Sequence, residues 1–278
     1  MYRFDNAEVT QSGTTLHVPA GAFFFLHGHF CVRLVEGACL LNGAELDAET
    51  HRIEQSYTLP ALAFFAPSAA VVEITPAAAR HEELFDLPAA FLARQGAVAD
   101  TALSEVVFPF GGVRVVRDSG APVVTIPQEW YAVSRRVLET SGEGPLRVAV
   151  IGGKGVGKST LVGLLRNLLV RRGRVCVLDV DPGQPFGGTI GCVSLLVYDA
   201  QDFNENFAAR PPAVRRSFVF GGTNLSESPE LLLRSLRALI CLYTREYAAI
   251  PMLVNSAGWI SGFGLELLTA ELELFQCH

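Results

Sequence analysis

A glycine-rich turn joins an apolar run to an amphipathic run in VAVIGGKGVGKSTLVGLL, residues 148–165. Within it, Gly152, Gly157, Lys158 and Ser159 fit the spacing GxxxxGK[ST], which is typical of a phosphate-binding P-loop between a strand and a helix. Such glycines let backbone amides curl around a phosphate, the lysine reaches the β- and γ-oxygens, and the serine hydroxyl is a ligand for Mg²⁺. The spacing therefore predicts a site for a nucleoside triphosphate with Mg²⁺.

Two carboxylates follow the next apolar run, VCVLDVDPGQP. Asp179 and Asp181 are two residues apart, which places them on one face of a strand, and Pro182-Gly183 predicts a turn directly after Asp181. Ligands of open α/β sheets bind at the carboxyl ends of the strands. We therefore expect Asp181 to face the reacting group, as a general base or as a ligand of metal-bound water, with Asp179 beside it in support.

Other nucleotide-binding patterns fit this chain less well. The minD-type ATPases carry a second lysine five residues before the P-loop lysine, where this chain has Gly153, with Lys154 one residue later. The GxGxxG spacing of dinucleotide-binding loops does not match the glycines. A guanine-specifying Asn-Lys-x-Asp is also missing, which disfavours a GTPase. These residues leave open whether the phosphoryl group goes to water, a small molecule or a polymer.

Two kinds of pattern divide the 278 residues. Residues 1–122 contain short alternating or aromatic runs, with a hairpin turn at Asn42-Gly43, and predict a small antiparallel β domain. Residues 123–145 are predicted to form a helical connector. Residues 146–278 alternate apolar strands with amphipathic helices, one of which is expected to start at Ser228-Pro229 with a serine cap. This alternation predicts an α/β P-loop NTPase domain, a parallel sheet with helices on both faces.

Composition excludes several classes of protein. Half of the residues are hydrophobic and 18% are charged, which predicts a folded chain with ample core. The net charge of −6 disfavours sequence-blind binding of nucleic acid. The six cysteines are scattered singly and predict reduced thiols of an intracellular protein. Because no apolar run is long enough to cross a bilayer, no membrane association is expected.

Four further stretches carry a resemblance. They are IPQEWYAVSRRVL before the P-loop, DPGQPFGGTIGCVSLL after the second strand, SFVFGGTNLSESPELLLRSL before a helix, and PMLVNSAGWISGFGLELL from a strand into a helix. With the β domain in front, they closely resemble the polynucleotide 5′-hydroxyl kinases of the Clp/Grc type. GWISGFGLELL is most similar to the nucleolar branch, which acts in ribosomal RNA processing. The resemblance covers most of the chain and is dense after residue 126.

The resemblance implies a set of site residues. The loop that is similar to the family's ATP phosphate loop consists of Gly152, Gly153, Lys154, Gly155, Val156, Gly157, Lys158, Ser159 and Thr160. Asp181, with Gln184 in the same Asp-x-Gly-Gln motif, matches the carboxylate that activates the RNA 5′-hydroxyl. Ser256, Gly258 and Trp259 resemble the family's Thr-x-Gly-Trp clasp over the phosphates, with serine in place of threonine. Without the resemblance, Trp259 is equally consistent with a core aromatic residue.

The resemblance also implies ligands, partners and a location. The cofactors are ATP and Mg²⁺, with the metal held by Ser159 and Asp181, directly or through water. Lys158 and Asp181 are the implied catalytic residues. The implied partners are an RNA with a 5′-hydroxyl end and a protein of a nuclease complex. The implied location is the nucleus, and within it the nucleolus.

The sequence departs from the family after the clasp. In the family a lid with arginines follows by some tens of residues and a C-terminal domain comes after it, whereas the 19 residues after Trp259 contain no Arg or Lys. Such arginines contribute about 10³- to 10⁵-fold in rate. Two expectations therefore stay open: an RNA 5′-kinase, and a catalytically weak ATP-binding scaffold of an RNA-processing complex. Either the chain is a fragment or a truncated form of a longer one, or the arginine is supplied in another way, for which Arg210, Arg215 and Arg216 are candidates.

Overall fold

The computed structural model describes residues 7–9, 13–54, 62–77, 113–115, 126–140, 146–203 and 212–277. The chain divides into two compact units. Met1–Ile126 and Phe203–Ala209 form the first, which we call the β unit. Pro127–Asp202 and Arg210–His278 form the second, which we call the P-loop unit.

The β unit is an antiparallel sheet built around one long strand. Its strands are β1 (Ala7–Val9), β2 (Thr14–Val18), β3 (Ala22–Glu36), β4 (Leu40–Leu41), β5 (Ala44–Glu45), β6 (His51–Glu54), β7 (Leu62–Ala66), β8 (Ala70–Pro76) and β9 (Val113–Val115). They are ordered β1-β2-β8-β3-β7-β4-β5, with β6 and β9 also paired to β3. Alternate side chains form the core, in which Phe24 and Phe64 stack with ring centroids 4.8 Å apart. The hairpin predicted at Asn42-Gly43 is confirmed, since these residues have φ of 49° and 76° between β4 and β5.

The P-loop unit combines one sheet with four described helices. The strands are β10 (Arg147–Val150), β11 (Val175–Asp179), β12 (Cys192–Tyr198), β13 (Val214–Val219) and β14 (Met252–Asn255). The helices are α1 (Gln128–Thr140), α2 (Lys158–Val170), α3 (Pro229–Glu246) and α4 (Phe263–Phe275), with a short 3₁₀ turn at Leu225–Glu227. Helix α3 begins at Pro229 as predicted, but the Ser228 hydroxyl makes no capping hydrogen bond.

The sheet of the P-loop unit is ordered β10-β14-β11-β12-β13. Strands β10, β14 and β11 are parallel, and β12 and β13 extend the sheet in antiparallel orientation. The predicted fold class is confirmed, with the parallel part limited to the three strands β10, β14 and β11. Because β14 lies between β10 and β11, its last residue, Asn255, is next to both Val150, which precedes the P-loop, and Asp179 of β11.

Helices cover both faces of this sheet, as predicted. Along β11, Val175 and Val177 pack with the core on the α2 side, while Cys176 and Leu178 pack with the core that α3 and α4 supply. All five residues of β11 are buried. Burial on both faces is typical of parallel strands between helix layers and explains the unbroken apolar run.

Helix α1 lies alongside α2 in the same direction. A side chain at Gly157, before α2, would meet the Trp130 ring near the start of α1, and Arg172, after α2, donates to the Leu138 carbonyl near the end of α1. The helix of the predicted connector therefore places an indole beside the P-loop. Among the described residues, no helix combines the length and the apolar character needed to cross a membrane.

Candidate active site

The glycine-rich loop runs from the end of β10 to the start of α2, which begins at Lys158. Gly157 has φ +91°, and a Cβ added there would lie 2.8 Å from the Trp130 ring, so the position needs glycine. Lys158 Nζ donates to the Gly153 carbonyl at 2.9 Å, which folds the ammonium group back over the loop. The first turn of α2 contains no acidic residue, so its free amides favour an anion.

The remaining loop residues are accessible to a ligand to different degrees. Ser159 is exposed, Thr160 is half-buried, and the loop surface includes Lys154 and the 60%-exposed Val156. Gly152 and Gly155 have φ of 156° and 76°. The loop thus presents amides, an ammonium group and a hydroxyl at one edge of the sheet, which is the chemistry that a polyphosphate requires.

Asp179 is the last residue of β11 and is 1% exposed. Its Oδ1 accepts a hydrogen bond from Asn255 Nδ2 at 3.0 Å, and its Oδ2 accepts from the backbone amides of Phe186 at 2.7 Å and Gly187 at 3.4 Å. Burial raises the pKa of Asp179 to about 6, against the opposite effect of these hydrogen bonds, and the charge of Asp181 adds to the rise. The carboxylate is therefore fixed in orientation and lies within electrostatic range of Asp181.

Asn255 also belongs to the site, although no sequence motif singles it out. Its Oδ1 lies 3.4 Å from Ser159 Oγ, so it links the P-loop hydroxyl to Asp179 through one amide group. In the parallel register, Val150 and Asp179 flank Asn255 on the two neighbouring strands. The rule that located the two aspartates, polar residues at the carboxyl ends of adjacent parallel strands, also applies to the Asn that ends PMLVN.

Asp181 lies in the turn after β11 and is half-buried. Its Oδ1 accepts hydrogen bonds from the backbone amides of Gly183 at 3.0 Å and Gln184 at 2.9 Å. No hydrogen bond to Oδ2 is found in the described part of the chain, so that oxygen is available to a ligand. The Gln184 side chain is exposed, and its contribution to this motif is the backbone amide that holds Asp181.

The residues of the clasp-like segment, Ser256 to Trp259, make structural contacts with neighbouring elements. Ser256 is buried, and its hydroxyl donates to the Val150 carbonyl at 2.9 Å, which ties β14 to the end of β10. Gly258 packs against the P-loop, since a Cβ there would lie 2.9 Å from the Lys154 backbone nitrogen. Trp259 rests on the backbone of Gly264 at the start of α4 and is partly buried against the core on that side of the sheet. This segment therefore packs against the P-loop and the end of β10.

The donor set fits a Mg²⁺ ion that arrives with a nucleotide. Within the residues that the structure describes, no group of three or more His, Cys, Asp or Glu could hold a metal by itself. Ser159 and Asp181 offer hard oxygen atoms, and Mg²⁺ commonly completes its shell with water and substrate phosphates. Of the candidate arginines, Arg215 and Arg216 are exposed on β13, and Arg210 lies outside the described residues.

Comparison with known proteins confirms the resemblance. Residues 152–278 match the family model described as the mRNA cleavage and polyadenylation factor CLP1 P-loop. The polynucleotide 5′-hydroxyl-kinase GRC3 of Gibberella zeae is 32% identical over 162 residues, which are 53% of this chain and 22% of the relative. NOL9 of Arabidopsis thaliana is 32% identical over 154 residues, 51% of this chain and 41% of the relative.

The polyribonucleotide 5′-hydroxyl-kinase Clp1 of Xenopus tropicalis is 36% identical over 152 residues, 51% of this chain and 34% of the relative. The chain thus spans less than half of the length of each of these three relatives. The solved Clp1p–Pcf11p complex contains a similar fold, with a TM-score of 0.62 at 14% identity over 97% of this chain and 60% of the other. This likeness confirms the fold, a β domain followed by a P-loop domain.

Proposed function

We propose that this chain, which is related to the polynucleotide 5′-hydroxyl-kinases of the Grc3, Nol9 and Clp1 type, transfers the γ-phosphate of ATP to the 5′-hydroxyl end of an RNA. The observation that carries the proposal is a chain of hydrogen bonds at one edge of the sheet. It joins Ser159 of the P-loop through Asn255 to Asp179, with Asp181 two residues further along. The P-loop and the turn that contains Asp181 therefore lie at the same edge of the sheet.

Lys158 is placed to exchange one partner for another. Its ammonium group now bonds to the Gly153 carbonyl at 2.9 Å. A phosphate oxygen in the loop would offer a charge-assisted hydrogen bond instead, which is roughly twice as strong as a bond between neutral groups. Lys158 and the loop amides would hold the transferred phosphoryl group, whose loose transition state is stabilised mainly by positioning and charge.

Asp181 and Asp179 have different roles in the proposed reaction. Asp181 keeps one oxygen in the turn and leaves Oδ2 to accept a hydrogen bond from the RNA 5′-hydroxyl. Asp179 holds the strand end and, through Asn255, the Ser159 hydroxyl in place. Ser159 and Asp181 would hold Mg²⁺, which when bound neutralises charge on the phosphate oxygens.

The finer identity of the substrate is also proposed. We take the RNA to be a precursor of ribosomal RNA and the location to be the nucleus, within it the nucleolus, because the sequence most resembles the branch that acts there. Relatives of this chain include the polynucleotide 5′-hydroxyl-kinases named GRC3 and NOL9. A protein partner is proposed because the similar fold is solved as a complex with Pcf11p.

The direct test is transfer of label from γ-labelled ATP to a 5′-hydroxyl oligoribonucleotide. We expect labelled RNA with the wild-type chain and loss of it in both Lys158→Ala and Asp181→Asn. Glu266→Gln changes an exposed carboxylate on α4 and serves as the matched control. Label found only in free phosphate would contradict the kinase and leave an ATPase. ATP binding without any transfer, with RNA processing intact in Lys158→Ala, would instead favour the scaffold.

A further inference from the structure

A buried cation lies on the P-loop helix, two turns after Lys158. Arg166 is 6% exposed, and its Cζ lies 4.9 Å from the ring centroid of Tyr198 and 5.3 Å from that of Phe186. Its guanidinium group also donates to Asn167 Oδ1 and lies 3.4 Å from Asp202 Oδ2. A cation on two aromatic faces away from water makes favourable contacts with both rings.

Phe186 contacts both Arg166 and Asp179. Its ring meets Tyr198 edge-on, with centroids 6.4 Å apart at 77°, and fills the space beside Gly163 on α2. Its backbone amide donates the 2.7 Å hydrogen bond to Asp179 Oδ2. The ring and the amide of one residue therefore join the P-loop helix to the acidic strand end.

The ion pair with Asp202 does not by itself explain the guanidinium group. Asn167 already holds the Asp202 backbone, accepting from its N–H at 3.0 Å and donating to its carbonyl at 2.9 Å. Beyond its contacts with Asn167 and Asp202, Arg166 lies over the Phe186 and Tyr198 rings. The guanidinium is a flat cation whose Cζ lies within 5.3 Å of both ring centroids, and a lysine would not reproduce its stacking on the rings.

We infer that Arg166 is a positioning residue, which by stacking on Phe186 and Tyr198 fixes the loop of residues 182–191 and thereby the orientation of Asp179 relative to the P-loop. The effect on phosphoryl transfer rests on the proposed function. The effect on the loop does not, because it follows from contacts within the P-loop unit alone.

The test uses the double variant Arg166→Met, Asp202→Asn, which removes both charges and leaves neither buried ion without its partner. We expect it to fold, with hydrogen exchange of the Phe186 and Gly187 amides about tenfold faster, the equivalent of one hydrogen bond. In the label-transfer assay, kcat should fall about tenfold or more, while KM for ATP stays within about threefold because the loop that binds the phosphates is unchanged. Arg237→Met, on the exposed face of α3, is the matched control.

Phe186→Leu provides a second route to the same test. It keeps the backbone amide but removes the ring on which Arg166 stacks, and we expect the same pattern of exchange and kinetics. Wild-type exchange and kcat in either the double variant or Phe186→Leu would overturn the inference and leave Arg166 as a partner of Asn167 and Asp202 within the helix and its neighbouring turn. If the wild-type chain transfers no phosphate, the proposed function fails, whereas the exchange measurement still decides the role of Arg166.

Discussion

Asn255 Nδ2 lies 3.0 Å from Asp179 Oδ1, and the two residues are direct neighbours at the carboxyl ends of the parallel strands β14 and β11. A carboxylate only accepts hydrogen bonds, so this contact fixes which end of the amide points to Asp179 and turns the amide oxygen toward Ser159. The bond favours the ionised carboxylate although burial raises the pKa of Asp179 to about 6. One neutral side chain thus keeps a buried acid and the P-loop hydroxyl in a defined arrangement.

Replacing Asn255 with Ala should weaken both the fold and the site. Asp179 would lose one of its hydrogen-bond donors while staying buried, a change that costs about 1–3 kcal/mol. We expect a matching fall in the free energy of unfolding, measured by chemical denaturation, and an affinity for ATP with Mg²⁺ about tenfold weaker or more by calorimetry. Asn224→Ala is the control, since Asn224 is exposed and hydrogen-bonds to Ser226 within a short turn. Equal losses in the two variants would argue against a role of Asn255 in the site.

Two glycines of the P-loop should differ in their tolerance of alanine. Gly157→Ala places a Cβ on a residue with φ +91° and 2.8 Å from the Trp130 ring, and the left-handed backbone alone costs about 1–2 kcal/mol. We expect a lower melting temperature and loss of ATP binding. Gly153→Ala meets only ordinary contacts, 3.8 Å from Ile260 and 4.0 Å from Val156, and keeps the carbonyl that Lys158 contacts. It should bind ATP nearly as the wild type does. An equal loss of ATP binding in both variants would show that the left-handed backbone of Gly157 and its contact with Trp130 are not what makes glycine necessary there.

Local chemistry made part of the site predictable from the sequence. The spacing from Gly152 to Ser159 specifies backbone shape and a helix start, both of which the structure shows in the glycine φ angles and in α2 beginning at Lys158. The turn after Asp181 followed from Pro182-Gly183, and its backbone amides do close on the carboxylate. The catalytic role assigned to Asp181 stays a prediction.

Contacts between distant parts of the chain were not predictable in this way. Strands β12 and β13 join the sheet antiparallel, so they lack the strand–helix–strand alternation that revealed the parallel part. The spacing around Trp259 is compatible with a clasp and with a core residue, and only its position on Gly264 shows which surface the ring covers. The approach of Trp130 to Gly157 depends on how α1 packs beside α2, which neither helix specifies alone.

Gly264 and Gly163 offer a test of how Trp259 is seated. Alanine in place of a helical glycine usually stabilises by about 0.5–1 kcal/mol, and Gly163→Ala should do so because its Cβ would lie 3.7 Å from the Phe186 ring. Gly264→Ala should instead destabilise by about 1–3 kcal/mol, since the Trp259 ring occupies the space of the new Cβ. Thermal unfolding measures the sign, and Trp259 fluorescence in a Trp130→Phe background should shift only with Gly264→Ala. A stabilised Gly264→Ala variant would show that Trp259 is not held there.

Glu271 should make the stability of the chain depend on pH. It lies on the buried face of α4, 2% exposed, and lines a cavity of about 10 Å³ with Trp259, Leu267 and Leu268. Burial raises the pKa of its carboxyl from 4.5 to about 7. The folded chain therefore holds this proton more tightly than the unfolded chain does. The stabilisation is complete below about pH 4.5 and is lost as pH rises through about 7.

The shift corresponds to about 3 kcal/mol in the free energy of unfolding between those two pH values. Since Asp179 also has a raised pKa, the measurement that isolates Glu271 is the difference between wild type and Glu271→Gln in chemical denaturation from pH 4.5 to 8. We expect the free energy of unfolding of Glu271→Gln to increase relative to that of the wild type as pH rises, because the amide has no charge to bury. Glu266→Gln, on the exposed face of the same helix, should follow the wild-type curve. Parallel curves for wild type and Glu271→Gln would mean that Glu271 titrates alike in both states and would refute the prediction.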